Sequence, residues 1–250
     1  MASESCCGAE ALEPVASNYS PTGTRHTLCD MEVYTVGSGG PAVVLVYDIF
    51  GFPFPQIFQV ADQISKAGFT VAVPDVLRGA PWPMEKFPPK PEDGMMAWLQ
   101  AISDYSKVKA DMDAALALLR SECGAAEGRA GAIGFCWGAA MTIQAAADPA
   151  YGAIGAAHPS FGLLPDKGAA AAAAAQCPVI LLPTKDDDVS ATKPVLEAGP
   201  FASSFVHRAF DDQVHGFLCA RGEWGDPKVA AAATEAIRMI VEFLKANLSA

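Results

Sequence analysis

The stretch AGAIGFCWGAA, residues 130–140, decides the fold. Its first half, ending at Phe135, is a short apolar run punctuated by glycines and reads as a buried strand; its second half, from Trp137, reads as the start of a helix. Between them, Gly134-Phe135-Cys136-Trp137-Gly138 has the G-x-nucleophile-x-G spacing of a sharp strand-to-helix turn, with cysteine at the nucleophile position. The glycines are required because side chains two residues either side of the nucleophile would collide with the neighbouring strand and helix. Such a turn projects Cys136 from the carboxyl edge of a sheet. It also turns the N–H of Trp137 towards the same space, a candidate oxyanion donor. The helix N-terminus favours a thiolate there. Taken alone, the pattern also fits a structural turn around an inert, buried thiol. The uncharged run continues to Ala147, 18 residues in all, which is the length of a membrane span. Gly131, Gly134, Gly138, Thr142 and Gln144 within it fit a strand, a tight turn and a buried helix better.

Outward from this turn, strand and helix signals alternate. Upstream, MEVYTV (31–36) and AVVLVY (42–47) read as strands, the second apolar throughout as a strand buried on both faces must be. A helix over 56–67 ends in Lys66-Ala67-Gly68, a basic last turn with a glycine stop, and FTVAVPD follows as a strand. Residues 79–91, with five prolines, form a loop, and helices follow at about 92–103 and 105–122. Downstream come the strands YGAIGAAH and PVILLP, an alanine-rich surface turn at 169–175, a short helix near 191–197, the strand SSFVHRAF and a closing helix capped by Asp226-Pro227. This order predicts an α/β fold: one mostly parallel central sheet with helices on both faces. Nothing marks a domain break, so residues 1–30 are expected to be an N-terminal lead segment and 31–250 a single domain.

Composition narrows the function classes. With 51% hydrophobic and 18% charged residues, the chain is not disordered. Its 17 Lys+Arg against 28 Asp+Glu give a net charge of -11, and no basic cluster interrupts the acidity. Nucleic acid and anionic membrane are therefore not expected as partners. The seven cysteines include no C-x-x-C pair and no His/Cys spacing suited to zinc. Reduced thiols in a cytoplasmic location are expected, and the acidic N-terminus lacks the features of a signal or transit peptide. Cys6-Cys7 reads as part of a tail. No metal, nucleotide or flavin motif is present, so no cofactor is expected.

A nucleophile of this type needs a base and an orienting acid, and α/β-hydrolases place them in the order nucleophile, acid, histidine, each after a later strand. After PVILLP comes Thr184-Lys185-Asp186-Asp187-Asp188-Val189-Ser190; after SSFVHRAF comes Asp211-Asp212-Gln213-Val214-His215-Gly216. His215 is the candidate base, and any of the three consecutive aspartates could hold its other ring nitrogen.

The segments YDIFGF (47–52), AGFTVAVPDVLRG (67–79), GFCWGAA (134–140), HPSF (158–161), KDDDVS (185–190) and HGFLCARG (215–222) resemble the dienelactone hydrolase family, in its eukaryotic carboxymethylenebutenolidase-like branch. The resemblance implies an α/β-hydrolase fold with Cys136 as nucleophile, Asp187 as orienting acid and His215 as base. It implies oxyanion donors at the backbone N–H groups of Ile49 and Trp137. Asp48 falls where bacterial members carry a glutamate close to the thiol, although a turn cap at a strand end would also use an aspartate. Bacterial members place a substrate-binding arginine four residues after the histidine, where this chain has Cys219. Arg78, Arg221 and His158 are the remaining substrate-binding candidates, each with an ordinary structural role as the competing reading.

The expected activity is hydrolysis of a small-molecule ester or lactone through an acyl-thioester, by a monomer or weak homodimer. Thiolate is itself easily expelled from a tetrahedral intermediate, so the substrate needs a good leaving group, and peptidase activity is not expected. The competing classes are a non-hydrolytic binding or thiol redox module on the same fold, and a polysaccharide (β-glucan) hydrolase, which would need two carboxylates across a groove.

Overall fold

A computed structural model describes residues 15–16 and 18–248. The Cys6-Cys7 pair lies outside them. Its eight-stranded sheet has the order β1-β2-β4-β3-β5-β6-β7-β8. The strands are β1 (Thr24–Leu28), β2 (Met31–Val36), β3 (Pro41–Val46), β4 (Thr70–Pro74), β5 (Ala126–Phe135), β6 (Tyr151–Ala157), β7 (Val179–Leu182) and β8 (Val206–His207). Pairings β1–β2 and β2–β4 are antiparallel and the remainder parallel. The helices are α1 (Gln56–Lys66), α2 (Met95–Ile102), α3 (Tyr105–Ser121), α4 (Trp137–Thr142), α5 (Ala169–Ala173), α6 (Lys193–Ala198) and α7 (Pro227–Asn247).

The central strands are apolar on both faces because both faces are covered. Ala42 to Val46 of β3 are fully buried between β4 and β5. Helix α7 starts where Asp226 accepts the N–H of Lys228 at 2.7 Å and Pro227 takes the first helical position. Its buried residues Ala233, Ala236, Ile237, Ile240 and Leu244 recur at helical spacing, and Gly131 on β5 makes room for them: a Cβ there would sit 2.8 Å from Leu244.

Two expectations need correction. The boundary at residue 30 falls inside the β1–β2 hairpin. The lead segment is docked: Tyr19 and Thr22 hydrogen-bond the buried carboxylate of Asp62 on α1, which Tyr34 of β2 binds as well. A buried carboxylate requires such donors, and nothing in a polar stretch signals from sequence that it will supply them. The strand expected over SSFVHRAF shortens to Val206–His207, although Arg208 and Phe210 still donate to the carbonyls of Leu181 and Pro183. This edge segment is largely exposed, so only the stretch that pairs with β7 is extended, and it delivers the loop that carries His215.

Candidate active site

Cys136 sits between β5 and α4 with φ +56°, in the left-handed region that strains any residue with a Cβ. The surrounding contacts explain the two glycines. A Cβ on Gly134 would lie 2.2 Å from the Thr142 hydroxyl and 2.3 Å from the Gly138 carbonyl oxygen; one on Gly138 would lie 2.2 Å from the Val46 carbonyl oxygen. The turn is anchored by Cys136 N–H donating to Ala157 at 3.1 Å and by the Cys136 carbonyl accepting from Ser160 N–H at 3.0 Å.

His215 and Asp187 arrive on loops beyond β8 and β7. Asp187 Oδ1 lies 2.5 Å from His215 Nδ1, while Oδ2 accepts from the Thr184 N–H at 2.7 Å and from the Thr184 hydroxyl at 2.9 Å. The Asp187 side chain is 2% exposed, which separates it from its neighbours. Asp188 instead pairs with Lys167 at 2.7 Å and hydrogen-bonds Ser190, and Asp186 is exposed. Of the three aspartates, Asp187 alone reaches the histidine. Burial would lower the His215 pKa, but hydrogen bonds and charge from Asp187 and Cys136 outweigh it and raise it to about 10. His215 therefore carries its proton at neutral pH, facing the sulfur.

Cys136 and His215 open on a cavity of about 180 Å³ walled by Ile49, Phe50, Phe87, Met95, Leu99, Trp137 and Leu163, with Asp48, Ser160, Gly216 and Arg221 completing it. Ile49 and Trp137 present backbone N–H groups with no acceptor among the described residues. For Trp137 this follows from its place at the start of α4. Ser160 Oγ lies 3.4 Å from the sulfur.

Asp48 is fully buried on this wall. Its Oδ1 accepts from Phe50 N–H at 2.9 Å and its Oδ2 from Ala220 N–H at 3.1 Å, so the turn-cap role and the place beside the thiol coexist. Burial pushes its carboxyl up to about 6, with those N–H donors restraining the rise. Burial, then the charges of Asp48 and Cys136, push the thiol of Cys219 well above its ordinary range.

Two substrate-binding candidates are not brought to the cavity. Arg78 is ion-paired with Asp111 and Asp30 and lines a separate surface depression with Trp98 and Ile102. His158 is fully buried behind the site, its ring 5.3 Å from that of His215 and packed between Phe135 and Phe217. Neither of its ring nitrogens has a hydrogen-bond partner among the described residues; burial, then the His215 charge, hold its pKa well below the ordinary range. Arg221 does reach the wall. Its Nη1 donates to the His215 carbonyl at 2.8 Å and its guanidinium lies 4.9 Å from the centre of the Phe87 ring. The sequence reading missed Thr184 as the second anchor of Asp187, although its place at the end of β7 could have suggested it. It also missed the cavity wall from Phe87, Met95 and Leu99, for which a proline-rich loop and a short apolar helix carry no distinctive signal.

Among the described residues no helix is long and apolar enough to cross a membrane. Residues 31–248 match the profile of the dienelactone hydrolase family. The chain is 31% identical over 234 residues to an uncharacterized AIM2 family protein of Schizosaccharomyces pombe, covering 86% of this chain and 87% of that one. It is 29% identical over 211 residues to the carboxymethylenebutenolidase homolog of Mus musculus, covering 82% of each. Among solved structures, a putative dienelactone hydrolase from Klebsiella pneumoniae superposes with a TM-score of 0.65 at 20% identity, covering 85% of this chain and 92% of that one, which establishes the α/β-hydrolase fold.

Proposed function

Because the chain belongs to the dienelactone hydrolase family, we propose that it hydrolyses activated esters or lactones with Cys136 as the nucleophile. The observation that carries this reading is Cys136 and His215 on one cavity wall with two unpartnered backbone N–H groups, and Asp187 buried behind His215 and linked to its ring. Cys136 Sγ attacks the substrate carbonyl, and the N–H groups of Ile49 and Trp137 receive the charge that develops on its oxygen. His215 passes its proton to the departing alkoxide or enolate, leaving an acyl-thioester. His215, now neutral, takes a proton from water as the hydroxide attacks the thioester, and collapse of the second tetrahedral intermediate releases the carboxylic acid and regenerates the thiolate–imidazolium pair. Asp187 fixes the ring and stabilises its charge throughout.

Hydrolysis of a polysaccharide would draw on two carboxylates flanking the cleft. Asp48 is the one carboxylate among the described residues on this wall, and Asp187 is turned onto His215. Among the described residues Cys29, Cys123, Cys136, Cys177 and Cys219 form no disulfide with one another, in keeping with the reducing, cytoplasmic setting proposed for the chain.

The test is to quench the protein during turnover of a panel of 4-nitrophenyl esters and small lactones and to map the acyl adduct by mass spectrometry. The expected result is an adduct on Cys136, absent along with turnover in Cys136→Ala. Full turnover by Cys136→Ala would remove the assignment; oxidation of Cys136 without any ester turnover would favour the redox module instead.

A further inference from the structure

The mechanism above leaves the hydroxyl of Ser160 unused, although it lies on the cavity wall 3.4 Å from the sulfur that makes and breaks the acyl bond. Ser160 stands immediately before a single 3-10 turn, Phe161–Leu163. A serine in that place ordinarily caps the turn, its side-chain oxygen accepting an N–H two or three residues on. Here no side-chain cap forms, and Cys136 Sγ is the only hydrogen-bond partner of the hydroxyl among the described residues. The usual structural duty of such a serine is therefore absent.

The backbone delivers that hydroxyl to the sulfur. Ser160 N–H donates to the Cys136 carbonyl at 3.0 Å, which fastens the two residues to each other. The chain reaches this point through a strained turn: His158 has φ +35°, in the left-handed region, and it precedes Pro159, where an extended backbone is favoured. Its N–H is held by the Leu182 carbonyl at 2.8 Å. Such strain persists only where neighbouring contacts impose it, and here it carries the chain from the end of β6 to the nucleophile. Other groups already act on the charge of Sγ. His215, with Asp187 behind it, and the guanidinium of Arg221 favour a thiolate; the Asp48 carboxylate opposes one, and the buried thiol of Cys219 stays protonated. A thiolate accepts hydrogen bonds and cannot donate them, so in the ionised state the Ser160 O–H is the donor, and hydrogen bonds to an ionised acceptor are among the stronger ones.

Resting on the hydrolase reading above, we infer that Ser160 is a further catalytic residue: its hydroxyl donates to Cys136 Sγ whenever the sulfur is anionic, holding the resting thiolate and assisting its departure when the acyl-thioester is hydrolysed. Ser160 keeps its proton throughout, and the proton lost by the thiol resides on His215. Acylation removes the charge from sulfur and weakens the bond, which re-forms as the carbon–sulfur bond breaks and the electron pair returns to sulfur.

The test is the pH profile of Cys136 alkylation by iodoacetamide, a reaction that needs no turnover, measured with peptide mapping in the full chain and in Ser160→Ala, Ser160→Thr and Ser160→Val. Threonine and valine share a shape and differ in the hydroxyl, so packing is held constant between those two variants, and thermal melts report folding. The midpoint should rise by about one pH unit in Ser160→Ala and Ser160→Val and return towards wild type in Ser160→Thr. An unshifted midpoint in Ser160→Ala, or equal shifts in Ser160→Thr and Ser160→Val, overturns the inference. In parallel, kcat/KM of Ser160→Ala for 4-nitrophenyl butanoate should fall about tenfold below the midpoint and converge on wild type above it, as the thiolate fraction does. A loss of the same size at every pH marks a merely structural role and overturns the inference as well. A shifted midpoint in a chain that hydrolyses no ester would instead uphold the contact with the thiolate and remove the hydrolase reading.

Discussion

Replacing Asp187 with asparagine tests the site through its hydrogen-bond geometry. The Thr184 backbone N–H is a fixed donor 2.7 Å from Oδ2, and the Thr184 hydroxyl is bound to the same oxygen at 2.9 Å. An asparagine must therefore keep its oxygen towards Thr184, because the reverse orientation sets an NH2 group against an N–H. Its NH2 then faces His215 Nδ1, which must accept, so the neutral ring carries its proton on Nε2 and can no longer take one from the Cys136 thiol or from water. A triad histidine held in the wrong tautomer costs on the order of 10²–10⁴ in kcat, or about 2.7–5.4 kcal/mol of transition-state stabilisation. The charge that helps hold His215 near 10 disappears as well, so its pKa should fall towards the ordinary range. The assay is single-turnover and steady-state hydrolysis of 4-nitrophenyl butanoate by Asp186→Asn, Asp187→Asn and Asp188→Asn. The pH profile of Cys136 alkylation by iodoacetamide is read for each, with thermal melts as a folding control. Asp186 and Asp188 lie outside the His215 contact, and their variants should stay within about tenfold of wild type. A loss below tenfold for Asp187→Asn, or equal losses at all three positions, would refute the argument.

Asp48→Asn removes a buried negative charge that shares the cavity with Cys136; iodoacetamide should then alkylate Cys136 faster near neutral pH, with the midpoint of the pH–rate profile moved down, and an unchanged profile would reduce Asp48 to a turn cap. The raised His215 pKa makes stability depend on pH: the folded state holds the proton more tightly than an unfolded histidine near 6.5, so this contribution is complete below about pH 6.5 and is lost as pH rises through about 10. Tm should accordingly fall between pH 7 and pH 10, by less in Asp187→Asn, and a wild-type slope no steeper than the variant's would contradict the assignment. Gly138→Ala sets a Cβ 2.2 Å from the Val46 carbonyl oxygen and 2.4 Å from that of Tyr47, both backbone atoms that cannot rotate away. Overpacking of this kind costs about 1–3 kcal/mol or more, so a melt within a degree of wild type would show that the turn is looser than described.

Much of the architecture was legible locally because it rests on local physics. The apolar run of β3, the glycine and basic last turn that end α1, and the Asp226-Pro227 start of α7 each declare an element within a few residues. Gly134-Phe135-Cys136-Trp137-Gly138 declared the turn itself, since the glycines are required by backbone approaches that no other residue permits. Strand β1 escaped notice because it lies at the sheet edge and is largely exposed, so it lacks the apolar alternation that marks a half-buried strand.

By itself, the sequence determined the α/β order, the nucleophile turn, and the order in which acid and base follow it, because strand and turn signals are written in neighbouring residues. Tertiary structure alone decided which of three adjacent aspartates meets His215, since the choice depends on Thr184 anchoring one carboxylate across a loop. It likewise sent Arg78 to Asp111 and Asp30, buried His158 behind His215 and tied Arg221 to the His215 carbonyl. A charged side chain reaches whichever partner the fold brings within a few ångströms, and chain position alone does not reveal that partner.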